Sequence, residues 1–391
     1  VILAGNGIRL SGAESEFLEM VELLEIPVLT TRLGVDLLPS SHQLNFGIPG
    51  SIASRSANFM LQNSDFLLIL GARLDMALIA YAPEKLAREA KKIMVNIDEA
   101  EIDKVKKIID VPIPADAGFF IREIFKHSSR LTHIERNDWI DRCRNWRTKY
   151  PFVLREYYNL KNGVSVYAFS ETLSEELSSE HIVLPGNAGI SCELFLTAFK
   201  VKKGQRVFHN KGTGAMGFSQ PAAIAACLAS GKRPTVCIDG DGGFQMNIQE
   251  LETIKRLNLP ITFFVMNNQG YASIRASQKV YFGRLTGADQ TSGLTLPDVV
   301  KVANSYGLKA SRIFSMQGLR KQLRNILDTR EPTVCDVMVI PDEVRAPRVS
   351  SYQKSDGSMV SKPLEDMWPF LNRKEFISNM IVSPLSESSE E

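Results

Sequence analysis

The stretch that decides the fold is "GDGGFQMNIQELETIKRLNLPITFFVMNN", residues 240–268. Within it, apolar residues recur every three or four positions over residues 248–257, which predicts a helix with one buried face. Residues 235–242, "TVCIDGDG", predict a strand that runs into a turn, and residues 261–266, "ITFFVM", predict the next strand. A crossover of this kind makes its two strands parallel, so the stretch predicts part of a parallel sheet.

The two ends of this stretch carry oxygen ligands. Asp241 follows the first strand and Asn268 the second, so both are expected at the carboxyl edge of the sheet, where parallel sheets bind ligands. Neighbouring strands are about 4.8 Å apart, which lets both side chains reach one ion. Carboxylate and amide oxygens suit Mg²⁺, which usually shares its ligands with substrate phosphates. Gly242 and Gly243 add backbone N–H groups at the start of a helix, so the stretch predicts a Mg²⁺-bridged diphosphate.

The rest of the chain predicts an α/β fold with two doubly wound parallel-sheet domains. Short apolar strands alternate with helices over residues 1–127 and again over residues 163–345, which is typical of Rossmann-like sheets. Residues 128–162 are charged and aromatic, with one apolar edge at helical spacing, and predict a helical linker. Residues 346–391 are polar and irregular, and we interpret them as a C-terminal extension whose end, "SPLSESSEE", is disordered.

Composition and charge argue against several classes of partner. Of the 391 residues, 44% are hydrophobic and 23% charged, and the formal net charge is +2, so neither nucleic acid nor a membrane is predicted as a partner. Apolar runs stay below the roughly 18 residues of a membrane helix, and no signal peptide is visible. Five cysteines without CxxC spacing predict a reduced, cytoplasmic setting. A strand pattern begins at residue 1 without a methionine, so we expect a piece of a longer polypeptide.

The motifs resemble those of one enzyme family. "GDGGFQMNIQELETI" together with "NNQGY" resembles the diphosphate and metal motif of thiamine diphosphate-dependent enzymes, and "GTGAMGFSQPAAIAACLA", residues 212–229, resembles a glycine-rich segment of that family. Residues 1–125 are similar to the middle domain of its acetolactate synthase branch, through "VILAGNGIR", "IPVLTT", "SANFMLQNSDFLLILGARLD" and "VNIDEAEIDK". The resemblance implies a thiamine diphosphate- and Mg²⁺-dependent transferase or lyase, acting as a decarboxylase and carboligase on 2-keto acids.

The resemblance also implies a role for each site residue. Asp241, Asn268 and the backbone carbonyl of Gly270 would hold Mg²⁺. The turn at Asn187 and Ala188 would give backbone donors to the terminal phosphate. The remaining implied cofactor contacts are the diphosphate neighbours Gly242 and Gly243, the aminopyrimidine acceptor Gly214, the wedge Met216 that bends the cofactor, and the wall residues Tyr271 and Ser273.

The resemblance is incomplete. The family has a further N-terminal domain with an activating glutamate, so no catalytic residue of this chain is assigned. The resemblance implies a pyrimidine-binding domain in cis or in trans, and a homodimer or homotetramer with active sites between subunits. Ser277 stands where branched-chain acetolactate synthases carry tryptophan, and Met76 and Ala77 stand where they carry Asp-Arg, which leaves the 2-keto acid open. "GSIA", residues 50–53, replaces the expected His-Gly turn, so FAD is not predicted.

Two other functions fit parts of the sequence. "GTGAMG", residues 212–217, matches Gly-x-Gly-x-x-Gly, follows the predicted strand "RVFHN" (206–210) and precedes Asp239 by 22 residues, as in an NAD-dependent dehydrogenase. This alternative does not explain Asp241 together with Asn268. The second alternative is a chain that binds the cofactor without reacting, as the inactive half of a split enzyme or as a relic.

Three further polar residues lie near these motifs. His209 precedes the glycine-rich turn, and we interpret it as a structural histidine. Arg275 and Gln278 follow the metal motif and are candidates for contact with the substrate.

Overall fold

Two parallel β-sheets organise the chain, each in its own unit. Unit 1 comprises Val1–Phe152 and Arg345–Glu391, and unit 2 comprises Val153–Val344. Each sheet has five strands with helices between them, which confirms the predicted α/β fold class. The computed structural model describes residues 1–132, 134–187, 189–210, 212–353 and 359–388.

The sheet of unit 1 is buried on both faces. Its strands are β1 (Ile2–Ala4), β2 (Val28–Thr30), β3 (Phe66–Leu70), β4 (Lys91–Asn96) and β5 (Val111–Pro114). Their order is β2-β1-β3-β4-β5, and all neighbours are parallel. Ile2 and Leu68 belong to one hydrophobic cluster, and Leu3 and Leu67 belong to another. Because side chains alternate between two cores, the inner strands are continuous apolar runs.

Helices connect the strands of unit 1. The α-helices are Gly7–Leu10, Glu14–Leu24, Arg55–Gln62, Glu99–Asp103, Ala117–Lys126, Asn137–Lys149 and Arg373–Asn379. The 3-10 turns are Arg32–Gly34, Pro83–Lys85, Lys106–Ile108, Ser128–Arg130 and Ser386–Ser388. Phe17, Met20 and Val21 lie on one face of Glu14–Leu24 and are buried, as the helical spacing predicts.

The helix Asn137–Lys149, which the sequence analysis places in a linker, packs into the core of unit 1. The ring centroid of its buried Trp146 lies 5.7 Å from that of Phe59, and Trp146 Nε1 donates to Oδ1 of Asn379 (2.9 Å). Phe376 adds a further ring, 6.4 Å from Phe59. The charged and aromatic pattern therefore belongs to an amphipathic helix whose apolar edge is covered within unit 1.

The C-terminal segment also packs on unit 1. Asn58 Nδ2 donates to the carbonyls of Gly50 (2.9 Å) and Leu364 (2.8 Å), which ties this segment to the helix Arg55–Gln62. Within the predicted disordered end, Ser388 is buried, and residues 389–391 lie outside the described residues. The short strands of the C-terminal segment pair antiparallel in two ladders, Arg348–Val349 with Met367–Trp368 and Ser351–Gln353 with Met359–Ser361.

The sheet of unit 2 contains the predicted strand–helix–strand unit. Its strands are β6 (Ile182–Pro185), β7 (Thr235–Gly240), β8 (Ile261–Asn267), β9 (Lys309–Ile313) and β10 (Thr333–Met338). Their order is β6-β7-β8-β10-β9, all parallel, with Gly240 of β7 opposite Met266 of β8. The predicted strand over residues 206–210 is wrong, because this segment meets the edge strand β6 only through an isolated bridge between Val207 and Val183.

Helices of unit 2 alternate with its strands. They are the α-helices Val166–Glu176, Phe195–Ala198, Ser219–Ala229, Asp241–Gln245, Glu250–Arg256, Ala272–Phe282, Val299–Ser305 and Leu319–Leu327, the π-helix Ile190–Leu194, and the 3-10 turns Arg155–Asn159 and Gln290–Ser292. The predicted crossover helix buries Leu251 and Ile254 against the sheet. In the described part of the chain, no helix is long and apolar enough to cross a membrane.

Candidate functional site

Three turns meet at the carboxyl edge of the unit 2 sheet. They follow β6 at residues 186–187, β7 at Asp241 and β8 at residues 268–270. Because the three strands are parallel neighbours, all three turns lie on the same side of the sheet. The sequence predicts the diphosphate and its metal ion at this edge.

Asp241 is a buried carboxylate at this edge. It is the first residue of the helix Asp241–Gln245 and is only 3% exposed. Its Oδ1 accepts a hydrogen bond from the N–H of Gly242 (2.8 Å), and its Oδ2 accepts one from the N–H of Gly270 (2.9 Å). Burial nevertheless raises the pKa of Asp241 from 3.8 to about 6. A cation bound at this position would stabilise the ionised carboxylate.

The two asparagines after β8 have different environments. Asn267 Nδ2 donates to Oδ1 of Asp336 (3.0 Å), and its Oδ1 accepts from the N–H of Gln269 (3.1 Å), so its side chain holds the turn. Asn268 is 5% exposed, and its buried Oδ1 has no hydrogen-bond partner among the described residues. Because buried polar atoms are normally paired, this oxygen is a candidate ligand for an ion.

The donor set at this edge suits a hard cation. It combines the Asp241 carboxylate with the neutral amide oxygen of Asn268 and with backbone carbonyls. No group of three or more His, Cys, Asp or Glu side chains that could hold a metal ion occurs in the described residues, so a metal at this edge would depend on amide and backbone oxygens beside the one carboxylate. Oxygen ligands of this kind fit Mg²⁺, and the residues present therefore fit the ion that the sequence predicts.

Two glycines of the motif are required by close contacts. A Cβ on Gly270, whose φ is +135°, would lie 2.3 Å from the carbonyl oxygen of Ala288. A Cβ on Gly242 would lie 2.1 Å from Cε1 of Tyr271, so the tyrosine ring rests on the glycine turn after β7. Gly243 is buried in the same helical turn. Residues of the motif therefore pack closely against one another.

Asn187 connects the turn after β6 to the glycine-rich segment. Its Nδ2 donates to Oδ1 of Asn210 (2.5 Å) and to the carbonyl of Ala215 (2.7 Å). Its own Oδ1 is buried and has no hydrogen-bond partner in the described part of the chain. Sequence reasoning missed Asn210, because a polar residue ahead of a glycine turn is an ordinary turn signal.

The other predicted cofactor contacts border the same turns. Gly214 adopts a φ of +63° and is exposed, and Met216 is 43% exposed. Ser273 is exposed in the first turn of Ala272–Phe282. Ala188 lies outside the described residues.

Comparison with known proteins identifies the family. Residues 1–124 match the family model "Thiamine pyrophosphate enzyme, central domain", and residues 187–337 match "Thiamine pyrophosphate enzyme, C-terminal TPP binding domain". The chain belongs to the thiamine diphosphate (thiamine pyrophosphate) enzyme family. The match to the C-terminal domain begins at Asn187 in the first turn and contains the other two turns, so the geometry and the family point to the same sheet edge.

Relatives place the chain near acetolactate synthases within this family. It is 31% identical over 351 residues to the probable acetolactate synthase large subunit of Methanococcus aeolicus, covering 87% of this chain and 58% of the relative. Identity is 32% to the corresponding Methanocaldococcus jannaschii protein (88% and 58% covered) and 29% to the acetolactate synthase large subunit of Lactococcus lactis (91% and 60% covered). The chain therefore spans less than two thirds of the length of these relatives.

The two polar residues suggested for contact with the substrate have other partners in the structure. Arg275 is 4% exposed, and its guanidinium donates to the carbonyls of Asn268 (3.1 Å) and Pro341 (2.8 Å). Gln278 exchanges two hydrogen bonds with the backbone of Thr286 (2.9 and 3.1 Å). Both side chains therefore hold loops of unit 2, and their donors are used by backbone carbonyls.

The dinucleotide alternative loses its structural context. The strand expected before the glycine-rich turn is absent among the described residues 206–210, apart from the bridge at Val207. Asp239, the acid that would bind a ribose, is 2% exposed, and its Oδ1 accepts from the N–H of Gly240 (2.8 Å). Burial raises the pKa of Asp239 to about 7. This carboxyl is held within the turn after β7, which together with the missing strand removes the arrangement that the dinucleotide motif requires.

Proposed function

We propose that unit 2 binds the diphosphate of thiamine diphosphate through a Mg²⁺ ion held by Asp241, Asn268 and the backbone carbonyl of Gly270. One observation carries this proposal. A buried carboxylate with a pKa raised to about 6 shares a sheet edge with a buried amide oxygen that has no hydrogen-bond partner among the described residues. A divalent cation would supply charge to the first group and a coordination bond to the second.

The diphosphate would lie across the turns after β6 and β7. Backbone N–H groups of Gly242 and Gly243 would meet it from one turn, and those of Asn187 and Ala188 from the other. The remainder of the cofactor would contact residues that border these turns, namely Gly214, Met216, Tyr271 and Ser273. This arrangement is supported by the bond from Asn187 to Ala215, which brings the glycine-rich segment to the same edge.

The proposed activity is decarboxylation and carboligation of 2-keto acids by an acetolactate synthase-like transferase or lyase. Thiamine diphosphate, when bound, supplies the nucleophilic carbon and the electron sink that this chemistry needs. Asp241 and Asn268 would fix the charged end of the cofactor, and their burial would keep water from the metal ligands. Met216, which is 43% exposed, would present an apolar surface to the rest of the cofactor.

We further propose that a pyrimidine-binding domain, in cis or in trans, completes the site in a cytoplasmic homodimer or homotetramer. The relatives support the further domain, because 40% or more of their length lies beyond the matched part. The same coverage supports a second candidate function, a chain that binds the cofactor and is inactive alone. Assays of 2-keto acid consumption with and without an added pyrimidine-binding chain separate the two functions.

The proposed metal site is tested by Asp241→Ala. Isothermal titration calorimetry of the full chain with thiamine diphosphate in MgCl₂ should show binding that chelation of Mg²⁺ abolishes. Asp241→Ala should remove this binding, because it removes the one charged ligand of the proposed set. The matched control is Asp328→Ala, which removes an exposed carboxylate from the same unit.

The two variants give distinct results if the proposal is wrong. Retention of Mg²⁺-dependent binding by Asp241→Ala would show that the metal site lies elsewhere. Equal loss in Asp241→Ala and Asp328→Ala would show that the effect comes from the net charge of the protein.

A further inference from the structure

We propose that Arg275 is a positioning residue that holds the loop of residues 268–270 in its metal-binding shape. The proposal rests on the proposed function, because it concerns the same Mg²⁺ site. It gives the buried guanidinium of Arg275 a role that neither the sequence motif nor the match to the family model provides.

The contacts of Arg275 are with backbone carbonyls of this loop. Its Nη2 donates to the carbonyls of Asn268 (3.1 Å) and Pro341 (2.8 Å), and its Nη1 donates to the carbonyl of Gln269 (3.3 Å). The guanidinium lies behind Gly270, where a Cβ would be 3.1 Å from Nη1. Two consecutive carbonyls of the metal loop are therefore fixed by one rigid side chain.

The loop needs such support because its backbone is strained. Gln269 has a φ of +61° and Gly270 a φ of +135°, and a non-glycine residue at positive φ is unfavourable. In this shape the N–H of Gly270 reaches Oδ2 of Asp241 (2.9 Å), and Asn268 presents its buried Oδ1. Arg275 therefore stabilises the backbone conformation in which Gly270 is bonded to Asp241 and Oδ1 of Asn268 is buried at the same edge.

An ion pair does not account for the burial of the Arg275 guanidinium. Within the described residues, the carboxylate at ion-pair distance is Asp342, whose side chain is 68% exposed and whose Oδ1 lies 3.4 Å from Nε. Because solvent surrounds the Asp342 carboxylate, this pair is screened and contributes little to stability. Lys279, one helical turn later, contacts the same Asp342 at 3.6 Å and touches no carbonyl of the loop in the described structure, which makes it a matched control.

The test measures Mg²⁺ affinity rather than activity. Thiamine diphosphate binding to the full chain is titrated with MgCl₂ in the wild type, Arg275→Met, Arg275→Lys and Lys279→Met. Arg275→Met keeps an unbranched apolar stem but loses every donor. The half-saturating Mg²⁺ concentration should rise about tenfold, the factor that corresponds to about 1.4 kcal/mol for fixing one backbone residue again on binding. Arg275→Lys should be intermediate, and Lys279→Met should match the wild type.

A second measurement reads the loop without the cofactor. Amide hydrogen exchange in a peptide covering residues 267–271 should be faster in Arg275→Met than in Lys279→Met, in the absence of Mg²⁺. If Arg275→Met does not fold, Arg275→Lys provides the same comparison, because lysine keeps the charge but not the fork of donors.

The outcomes separate this inference from the proposed function. A wild-type chain without Mg²⁺-dependent binding overturns the proposed function. A wild type that binds, with Arg275→Met at the same half-saturating concentration, overturns the role of Arg275 alone. A loss of binding in Arg275→Met that saturating Mg²⁺ does not restore also overturns it, because a positioning residue weakens the site without removing a ligand.

Discussion

Replacing Asp241 by asparagine should change how the stability of the metal-free protein depends on pH. The pKa of the buried Asp241 carboxyl is about 6 in the folded chain, against 3.8 ordinarily. A carboxyl with a raised pKa holds its proton more tightly in the folded chain than in the unfolded chain. The free energy of unfolding therefore falls as pH rises from 3.8 to about 6, and the loss is complete above that window.

The magnitude follows from the two pKa values. The difference between 3.8 and about 6, at about 1.4 kcal/mol per pH unit, is about 3 kcal/mol. By neutral pH, ionisation of Asp241 has lowered the free energy of unfolding of the wild type by this amount. Asp241→Asn has no such loss. The amide has a cost of its own, because its Nδ2 would face a backbone N–H, but that cost does not vary with pH. The pH slope is therefore the quantity to compare.

The assay is urea unfolding from about pH 4 to about pH 7.5 in the presence of a chelator. Far-UV circular dichroism follows both units, whereas fluorescence follows unit 1, because Trp139, Trp146 and Trp368 all lie there. By circular dichroism, the free energy of unfolding of Asp241→Asn should rise relative to that of the wild type by about 3 kcal/mol across this pH range. In thermal unfolding this corresponds to about 6–12 °C in melting temperature. Asp239 is present in both proteins, so its titration largely cancels.

Equal pH slopes by circular dichroism would refute the reasoning, because they would mean that the Asp241 carboxyl is not desolvated. Mg²⁺ with thiamine diphosphate provides the converse test at about pH 7.5. It should stabilise the wild type more than Asp241→Asn, because the ion offsets the cost of the buried charge.

Two further changes test the packing within each unit. Gly242→Ala places a Cβ 2.1 Å from the Tyr271 ring and should destabilise unit 2 by about 1–3 kcal/mol, whereas Gly212→Ala, which meets open space, should leave the urea midpoint unchanged. Adding Tyr271→Ala should recover part of that loss, and strictly additive losses would argue against the close contact. Asn58→Ala removes the donor to the Leu364 carbonyl and should cost unit 1 about 1–3 kcal/mol and speed proteolysis of the C-terminal segment. Unchanged proteolysis would mean that other contacts hold that segment.

The meeting of Asp241 and Asn268 at one sheet edge was predictable from sequence. It depends on a short strand–helix–strand pattern and on a general rule of connection, and the observed pairing of Gly240 with Met266 follows from both. The predicted strand at residues 206–210 failed because an apolar segment forms a ladder only if a neighbouring strand runs beside it for several residues. Here the contact is a single bridge at Val207.

Other features depend on contacts between distant parts of the chain. Asn267 and Asn268 look equivalent in sequence, and only Asp336, 69 residues away, decides that the first is structural. The direction of Arg275 is likewise decided by Pro341, 66 residues away. The bond between Asn58 and Leu364 spans 306 residues, so no local pattern could have assigned the C-terminal segment to unit 1. Periodicity predicts elements and their edges, but not which polar atoms find partners.

The candidate site combines features that each lower the stability of the fold. Asp241 is buried as an acid whose pKa is raised, Gln269 has a positive φ, and Asn187 and Asn268 each bury an amide oxygen without a hydrogen-bond partner among the described residues. Apolar or paired residues would make a more stable sheet at each position. A bound cation and diphosphate would offset these costs together, by neutralising the carboxylate and coordinating the oxygens. A buried carboxylate and a buried amide oxygen at one sheet edge therefore argue for a cation more strongly than either group alone, because one ligand would offset both costs.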